Sequence, residues 1–266
     1  MDEMAITGVS SHNPFLKTLS SKQKMSELET GADSIRKFLH ELDIRIRARY
    51  TLLALNTFEE DRVREALVDL VFQERHKEKS LYFWSRPSGL QKVVDPKEGL
   101  LSSPQTIGDT EDPESLLGFI SEQKTGIFLL CDYAPYISPY GQEDALLVRR
   151  LREIAWKLKS TKATVLFVGP NFPELKTLEK EVTQIELDLP RESEIEDSIE
   201  LQFENLRSNG LDISLTKETQ DALQQSLLGL TAVEISNVVA KAVISCNGLN
   251  QDSINVILEE KKNVIR

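Results

Sequence analysis

The chain has 266 residues, of which 40% are hydrophobic and 28% charged, and its formal net charge is -11. That length suffices for one large domain or for a core domain with a smaller attachment. The acidic balance excludes nucleic acid and anionic membrane surfaces as general partners. The two isolated cysteines favour an intracellular protein with reduced thiols. The acidic N-terminus lacks an apolar core, so we expect no secretory signal. We also expect no membrane span.

The chain begins with a polar stretch that has no clear periodicity. Residues 1–34 are rich in Ser and Lys, and we expect them to form a flexible N-terminal extension. After them, helices alternate with apolar strands, which predicts an α/β domain over 35–189. The predicted elements, in order, are helix 34–42, strand 50–56, helix 58–75, strand 81–84, helix 113–123, strand 127–131, helix 142–159, strand 164–168 and strand 182–187. This order predicts a parallel five-stranded sheet with helices on both faces.

Residues 85–112 interrupt the alternation of strands and helices. They contain three prolines and three glycines, which predicts a long surface excursion with a helical turn near 90–94. Beyond Pro190 the pattern is helical only, so we place a domain boundary near residue 189. The helices predicted there are 191–208, 216–228, 232–246 and 250–262. The chain is therefore expected to end in an all-helical domain over 190–266.

The central predicted strand ends in a carboxylate. Five apolar residues, 127–131, precede Asp132, and a run of this kind predicts a strand buried on both faces. The Asp132 carboxylate would then lie at the C-terminal edge of the sheet, where open α/β sheets bind their ligands. An apolar strand ending in an acid has the form of a Walker B strand, whose Asp holds Mg²⁺. The alternative is an ordinary central strand that ends in an exposed acid.

The order of elements resembles that of the AAA+ ATPases. On that resemblance Asp132 falls at the Walker B position, and Asn171, after the next strand, falls at the sensor-1 position. The helices beyond Pro190 would form the lid domain. The segment Gly229-Leu230-Thr231 resembles the Gly-Leu-Ser/Thr that opens a lid helix, and Thr231 with Glu234 is spaced as a capping box. Asp132 and Asn171 would then be vestigial cofactor-binding residues.

The Walker A loop of that family is missing from its expected place. Such a loop needs glycines for close approach to phosphate, together with a Lys and a hydroxyl group. After the first strand the chain reads NTFEEDR (56–62), with neither Gly nor Lys. Thr57 and Glu60 are spaced as a capping box, and the three carboxylates would repel a triphosphate. Tyr133 also follows Asp132 where an active ATPase has a Glu. We therefore expect no catalytic residue and no cofactor, unless the vestigial site still binds ATP and Mg²⁺.

Four segments together narrow the resemblance: RARY (47–50), TFEEDR (57–62), LCDYAPY (130–136) and GLT (229–231). They are similar to an AAA-type family encoded by a conserved hypothetical reading frame of algal plastid and cyanobacterial genomes. In that family a degenerate AAA-like half precedes a half with an intact Walker A loop, and this chain would cover the first. The resemblance implies a role in regulating photosynthesis and inorganic-carbon use, in cyanobacterial cytoplasm or plastid stroma.

Other polar clusters allow two interpretations each. Arg149, Arg150 and Arg152 could reach a neighbour's phosphates in a ring, or form a solvated basic face. The tyrosines and prolines of 133–140 could form a docking surface, or pin a loop. The scattered histidines have no partner at metal-ligand spacing, so we expect no metal site. Both tryptophans are expected in the core.

The resemblance, together with the missing Walker A loop, implies an AAA+-like pseudo-ATPase module, a regulatory or assembly unit. It would pack against copies of itself or against an active AAA+ subunit, without nucleic acid or membrane as a partner. One alternative is the N-terminal half of an AAA+ ATPase whose ATP-hydrolysing half follows Arg266. A clamp-loader-like scaffold is another.

Overall fold

The structure, a computed structural model, describes residues 33–71, 76, 78–93, 104–173, 175–208, 215–246 and 248–264. The predicted N-terminal extension lies outside these residues, apart from its last two. The chain divides into two compact units, one that ends at Leu189 and one that begins at Pro190. No helix among the described residues is long and apolar enough to cross a membrane.

The first unit contains helices and strands in alternation. In chain order they are α1 (Ser34–Arg47), β1 (Leu52–Asn56), α2 (Glu60–Val71), β2 (Leu81–Ser85), β3 (Gly89–Lys92), β4 (Gln105–Ile107), α3 (Pro113–Ser121), β5 (Thr125–Cys131), α4 (Ala145–Leu158), β6 (Lys162–Gly169) and β7 (Val182–Ile185). Short helical turns, Ala134–Ile137 and Lys176–Leu178, lie in the loops after β5 and β6.

One sheet holds all seven strands, in the order β4-β3-β2-β5-β6-β1-β7. The pairs β2·β5, β5·β6, β6·β1 and β1·β7 are parallel. The five parallel strands predicted from the sequence are therefore confirmed. Two further strands, β3 and β4, extend the sheet by antiparallel pairing beside β2.

The excursion predicted over 85–112 is partly wrong. Where a helical turn was expected near 90–94, Gly89–Lys92 forms a strand that returns along β2. Gly89 has φ +64, a left-handed conformation that a side chain disfavours, and it begins the returning strand after a tight turn. Thr110 fixes the end of the excursion: its carbonyl accepts from Trp84 Nε1 at 2.6 Å, and its hydroxyl accepts from the Leu90 N–H at 2.8 Å.

Helices cover both faces of the sheet. On β1, Leu52 and Ala54 pack with α3 and α4, whereas Leu53 and Leu55 pack with α1 and α2. Successive side chains of a strand point to opposite faces, so a strand covered on both sides is apolar throughout. The same alternation on β5 explains the uninterrupted apolar run that precedes Asp132.

Trp156 is an exception to the predicted core. Trp84 is buried in the sheet, but Trp156 is 50% exposed on the outer side of α4, where the Arg149 guanidinium lies 5.5 Å from the centre of its ring. The prediction that both tryptophans are core residues is therefore wrong for Trp156. An aromatic residue at helical spacing can cover a charged neighbour instead of filling the core.

The second unit is all-helical in its described residues, as predicted. It consists of α5 (Glu192–Ser208), α6 (Lys217–Leu227), α7 (Ala232–Cys246) and α8 (Gln251–Val264). The predicted capping box opens α7: the Thr231 N–H donates to Glu234 at 2.7 Å, and the Glu234 N–H donates to the Thr231 hydroxyl at 3.3 Å. Gly229, two residues earlier, has φ +87.

Candidate functional site

Asp132 and Asn171 lie at the same edge of the sheet. β5 and β6 are adjacent and parallel, and Asp132 directly follows the first while Asn171 follows the second. Both residues are exposed. The Asp132 N–H donates to the Val168 carbonyl at 2.9 Å, which joins the two strand ends. The structure therefore brings the two predicted residues to one edge, on neighbouring strands.

The Asp132 backbone is held in an unusual conformation. Its φ is +51, in the left-handed region that non-glycine residues seldom adopt. A Cβ atom built on Gly169 would lie 3.1 Å from Asp132 Oδ1, so the carboxylate occupies space left by the missing side chain. Non-glycine residues in this conformation concentrate at functional sites. The Asp132 carboxylate therefore lies over Gly169, the last residue of β6.

Asn56 is a residue of this edge that the sequence analysis did not single out. It ends β1, and its Oδ1 accepts a hydrogen bond from the Phe172 N–H at 2.7 Å. The next N–H, that of Thr57, donates to the Gly169 carbonyl at 3.0 Å. Both bonds tie the end of β1 to the loop that carries Asn171. A polar residue ending a buried strand was the available signal, as it was for Asp132.

The connection from β1 to α2 is short and closed. Only Thr57, Phe58 and Glu59 separate the two elements. The Glu59 N–H donates to the Thr57 hydroxyl at 3.0 Å, so half of the predicted capping box is replaced by an Asx-like turn. Glu60, the other predicted member, pairs with Arg64 at 3.3 Å instead. The box fails because the Thr57 N–H is already bonded to the neighbouring strand.

A buried ion pair fills the first turn of α2. Arg62 donates to Glu59 Oε2 at 2.9 Å, and both side chains are 2% exposed. Arg62 also donates to the Ser34 hydroxyl and to the Asp188 carbonyl. A Walker A signature spans about eight positions and exposes backbone N–H groups to phosphate. This three-residue connection, whose Glu59 is buried in its ion pair with Arg62, offers no comparable loop.

The tyrosines after Asp132 differ in role. Tyr133 is buried, its hydroxyl donates to the Pro113 carbonyl at 3.0 Å, and its ring packs on Trp84. Burial raises the pKa of Tyr133, so the hydroxyl stays protonated. Tyr133 therefore pins the loop, whereas Tyr140 is fully exposed with φ +56. The loop-pinning alternative therefore holds for Tyr133, and a docking surface stays a prediction.

Cys131 and the arginines of α4 show no reactive arrangement. Burial raises the pKa of the Cys131 thiol, and both cysteines are free. Each arginine of the α4 face has an acidic partner: Arg149 with Glu153, Arg150 with Glu114 and Arg152 with Glu181. Within the described ranges, no three His, Cys, Asp or Glu side chains are placed to hold a metal ion.

Family models match both units of the chain. The model of the SpoVK-like AAA ATPase, N-terminal domain, matches residues 38–187, and that of the SpoVK-like AAA ATPase, second domain, matches residues 193–266.

Among curated proteins, the chain is similar to the "Uncharacterized AAA domain-containing protein ycf46" of two organisms. The protein of Trieres chinensis is 25% identical over 233 residues, which cover 86% of this chain and 42% of the relative. That of Guillardia theta is 24% identical over 240 residues, which cover 88% of this chain and 43% of the relative. The chain thus spans less than half the length of these relatives.

Among solved structures, the chain is similar to a chain of the E. coli MS115-1 HORMA:CdnC:Trip13 complex. The TM-score is 0.50 at 12% sequence identity, and the match covers 96% of this chain and 92% of that one. At this level of identity the likeness concerns the fold alone.

Proposed function

Because this chain belongs to the SpoVK-like AAA ATPase family, we propose that it is a nucleotide-incompetent AAA+-like module with a regulatory or assembly role. The observation that carries the proposal is the closed connection between β1 and α2. In an active member of the fold this connection would grip the nucleotide phosphates.

The residues of this connection do not fit a triphosphate. Glu60 and Asp61 bring two accessible carboxylates to the helix start, beside the buried Glu59, where a phosphate group would otherwise be favoured. Arg62, a cation in the first turn of α2, is buried in its bond to Glu59 and is not directed to solvent. A nucleotide would therefore meet acidic side chains and no lysine, so we derive no step of ATP hydrolysis for this chain.

Asp132 and Asn171 are proposed to be vestigial Walker B-like and sensor-1-like residues. Both are exposed at one edge of the sheet, which supports their descent from a nucleotide site. Two oxygen-bearing side chains alone are a weak Mg²⁺ site, because that ion normally gains ligands from substrate phosphates. Tyr133, next to Asp132, is buried and cannot replace the Glu that polarises water.

We propose that the module acts through protein partners, either further copies of itself or an active AAA+ subunit. On the family resemblance of the RARY, TFEEDR, LCDYAPY and GLT segments, we also propose a role in photosynthesis and inorganic-carbon use, in plastid stroma or cyanobacterial cytoplasm. The second candidate is that the module is the first half of a longer ATPase. The 42% coverage of the Trieres chinensis relative favours this candidate, because most of that protein lies outside the match.

Calorimetric titration of this chain with Mg-ATP and Mg-ADP tests the proposal. We expect no saturable heat at millimolar nucleotide. Saturable binding that Asp132→Ala or Asn171→Ala abolishes would overturn it, because the carboxyl edge would then be a working site.

The second candidate, that the module is the first half of a longer ATPase, is tested by an ATPase assay on a full-length ycf46-type protein. If the second candidate holds, that protein hydrolyses ATP, and an Asp-to-Ala change at its counterpart of Asp132 leaves the rate unchanged. A rate that falls to background in this variant would show that the first half is itself catalytic.

A further inference from the structure

A pocket of about 470 Å³ opens at the amino edge of the sheet, opposite the edge that carries Asp132. Its walls come from the segments that lead into β1, β2, β5 and β6. The charged residues that line it are Arg49, Glu78, Lys124 and Lys162. A pocket of this volume is in the usual range for small-molecule ligands, which is roughly 300–1,000 Å³.

The pocket is basic although the chain as a whole is acidic. Lys162 pairs with Glu78 at 3.1 Å, and the Glu78 side chain is largely exposed. In the part of the chain that the structure describes, neither Arg49 nor Lys124 forms an ion pair. Lys79 lies close enough to Lys162 and Arg49 to interact with both electrostatically. Three cations and one carboxylate therefore line the pocket, and a fourth cation, Lys79, lies beside it.

Burial and, after it, the neighbouring cations act on the pKa of Lys79. Its pKa is lowered, first by burial and then by Lys162 and Arg49, and Glu78 opposes the shift only in part. Its ammonium group donates to the Lys162 carbonyl, so it is fixed beside the pocket. An anion bound here would relieve the repulsion among these groups.

Arg49 occupies a position that normally favours glycine. The Tyr50 N–H donates to the Arg45 carbonyl and the Arg49 N–H to the Ile46 carbonyl, which is the Schellman pattern at the end of α1. Arg49 has φ +62, the left-handed conformation of that motif. A side chain there is strained, yet this one is a guanidinium that lines the pocket. The need to end α1 does not by itself explain why this position carries an arginine and not a glycine.

The end of α4 also faces the pocket, and its carbonyl groups are already satisfied. Ser160 donates to the Lys157 carbonyl at 3.0 Å, and Thr161 donates to the Leu158 carbonyl at 2.8 Å. These hydroxyls donate to the helix end and so do not donate to a ligand in the pocket. Recognition of a ligand would thus depend on the cations.

We propose that the amino-edge pocket binds a small phosphorylated molecule that carries at least two negative charges. Arg49, Lys124 and Lys162 line a cavity of metabolite size, and guanidinium and ammonium groups are the usual protein ligands of phosphate. The site lies at the opposite edge of the sheet from Asp132, so it is independent of the vestigial nucleotide site.

The test uses inorganic pyrophosphate without Mg²⁺, titrated into the full chain at constant ionic strength and followed by calorimetry. We expect saturable one-to-one binding, with affinity lowered about tenfold or more by either Arg49→Gln or Lys124→Gln. Arg86→Gln is the matched control, since it removes one positive charge from an exposed residue beyond the opposite end of β2. It should leave the affinity nearly unchanged, and circular dichroism confirms that each variant is folded.

Three results would overturn the proposal: no saturable binding, binding that survives both amino-edge changes, or equal weakening by Arg86→Gln. Tighter binding of polyglutamate, with none of pyrophosphate, would make the surface a contact for an acidic macromolecule instead. Nucleotide binding that vanishes in Arg49→Gln but survives Asp132→Ala would belong to this pocket, and it would leave the proposed inactivity of the carboxyl edge intact.

Discussion

Arg62, in the first turn of α2, and Glu59, just before it, form an ion pair 2.9 Å long, and each side chain is 2% exposed. Charges removed from water in this way are retained only when they are well paired. The pair also links α2 to α1 and to the end of the unit, because Arg62 donates to Ser34 and to the Asp188 carbonyl. The place of a phosphate loop is thus occupied by a structural contact.

Removing one partner of this pair should be costly. Arg62→Met leaves the Glu59 carboxylate buried without its cation, and we expect the free energy of unfolding to fall by about 3 kcal/mol. The double variant Glu59→Leu/Arg62→Met should regain much of that loss, since neither charge is then buried. Urea denaturation followed by circular dichroism measures the double variant and each single variant, and simple additivity of the single effects would contradict the coupling.

Asp112 should give α3 a pH-dependent cap. Its carboxylate accepts from the Ser115 and Glu114 N–H groups, each at 3.0 Å, and these bonds, that of Ser115 first, lower the pKa of Asp112. We expect Asp112→Ala to cost about 1 kcal/mol near neutral pH. Because the folded pKa is below the ordinary 3.8, this stabilisation is present above that pH and is lost as the pH falls through the folded pKa. Asp112→Asn, which caps without titrating, should not show that loss in acid unfolding curves.

Asp132→Gly should stabilise the protein if the carboxylate has no remaining task. The left-handed φ of Asp132 favours glycine, so we expect the free energy of unfolding to rise by up to about 1 kcal/mol. Asp132→Ala keeps the strain and should not stabilise. Thermal unfolding with and without Mg²⁺ provides the measurement. Stabilisation of the unsubstituted protein by Mg²⁺, absent from Asp132→Gly, would instead identify a functional metal ligand.

Arg49→Gly should move stability and anion affinity in opposite directions. Glycine relieves the left-handed conformation at the end of α1, and we expect a gain of about 0.5–1 kcal/mol in the free energy of unfolding. The same change removes one pocket cation, so pyrophosphate should bind more weakly. Denaturation and calorimetry on the same preparation separate the effects. A loss of stability would show that the guanidinium holds the fold together.

The parallel core of the sheet could be predicted because its signals are local. The side chains of β5 are buried on alternate faces, so the strand is apolar throughout and its end is visible at Asp132. Since parallel strands end at a common edge, Asp132 and Asn171 could be expected at the same edge before any geometry was known. Thr231 and Glu234 are likewise three residues apart, and they form the expected reciprocal bonds.

The remaining features depend on contacts between distant segments. β3 and β4 are short and polar, and Thr110 secures them through Trp84, 26 residues away. The predicted Thr57–Glu60 capping box does not form, because the Thr57 N–H donates to the Gly169 carbonyl instead. The basic pocket combines four separate segments, so no single stretch of sequence indicates it. Such arrangements depend on how distant segments pack together, and the spacing of neighbouring residues in the sequence does not show this.

The two tryptophans provide separate optical probes of the first unit. Trp84 is enclosed by the sheet and bonded to Thr110, whereas Trp156 lies half in solvent beside Arg149. A soluble quencher should therefore reduce the fluorescence of the Trp156 indole and leave that of Trp84 nearly unchanged. In a Trp156→Phe variant, the emission that remains would report the state of the β2–β3 hairpin alone, without any label attached to the protein.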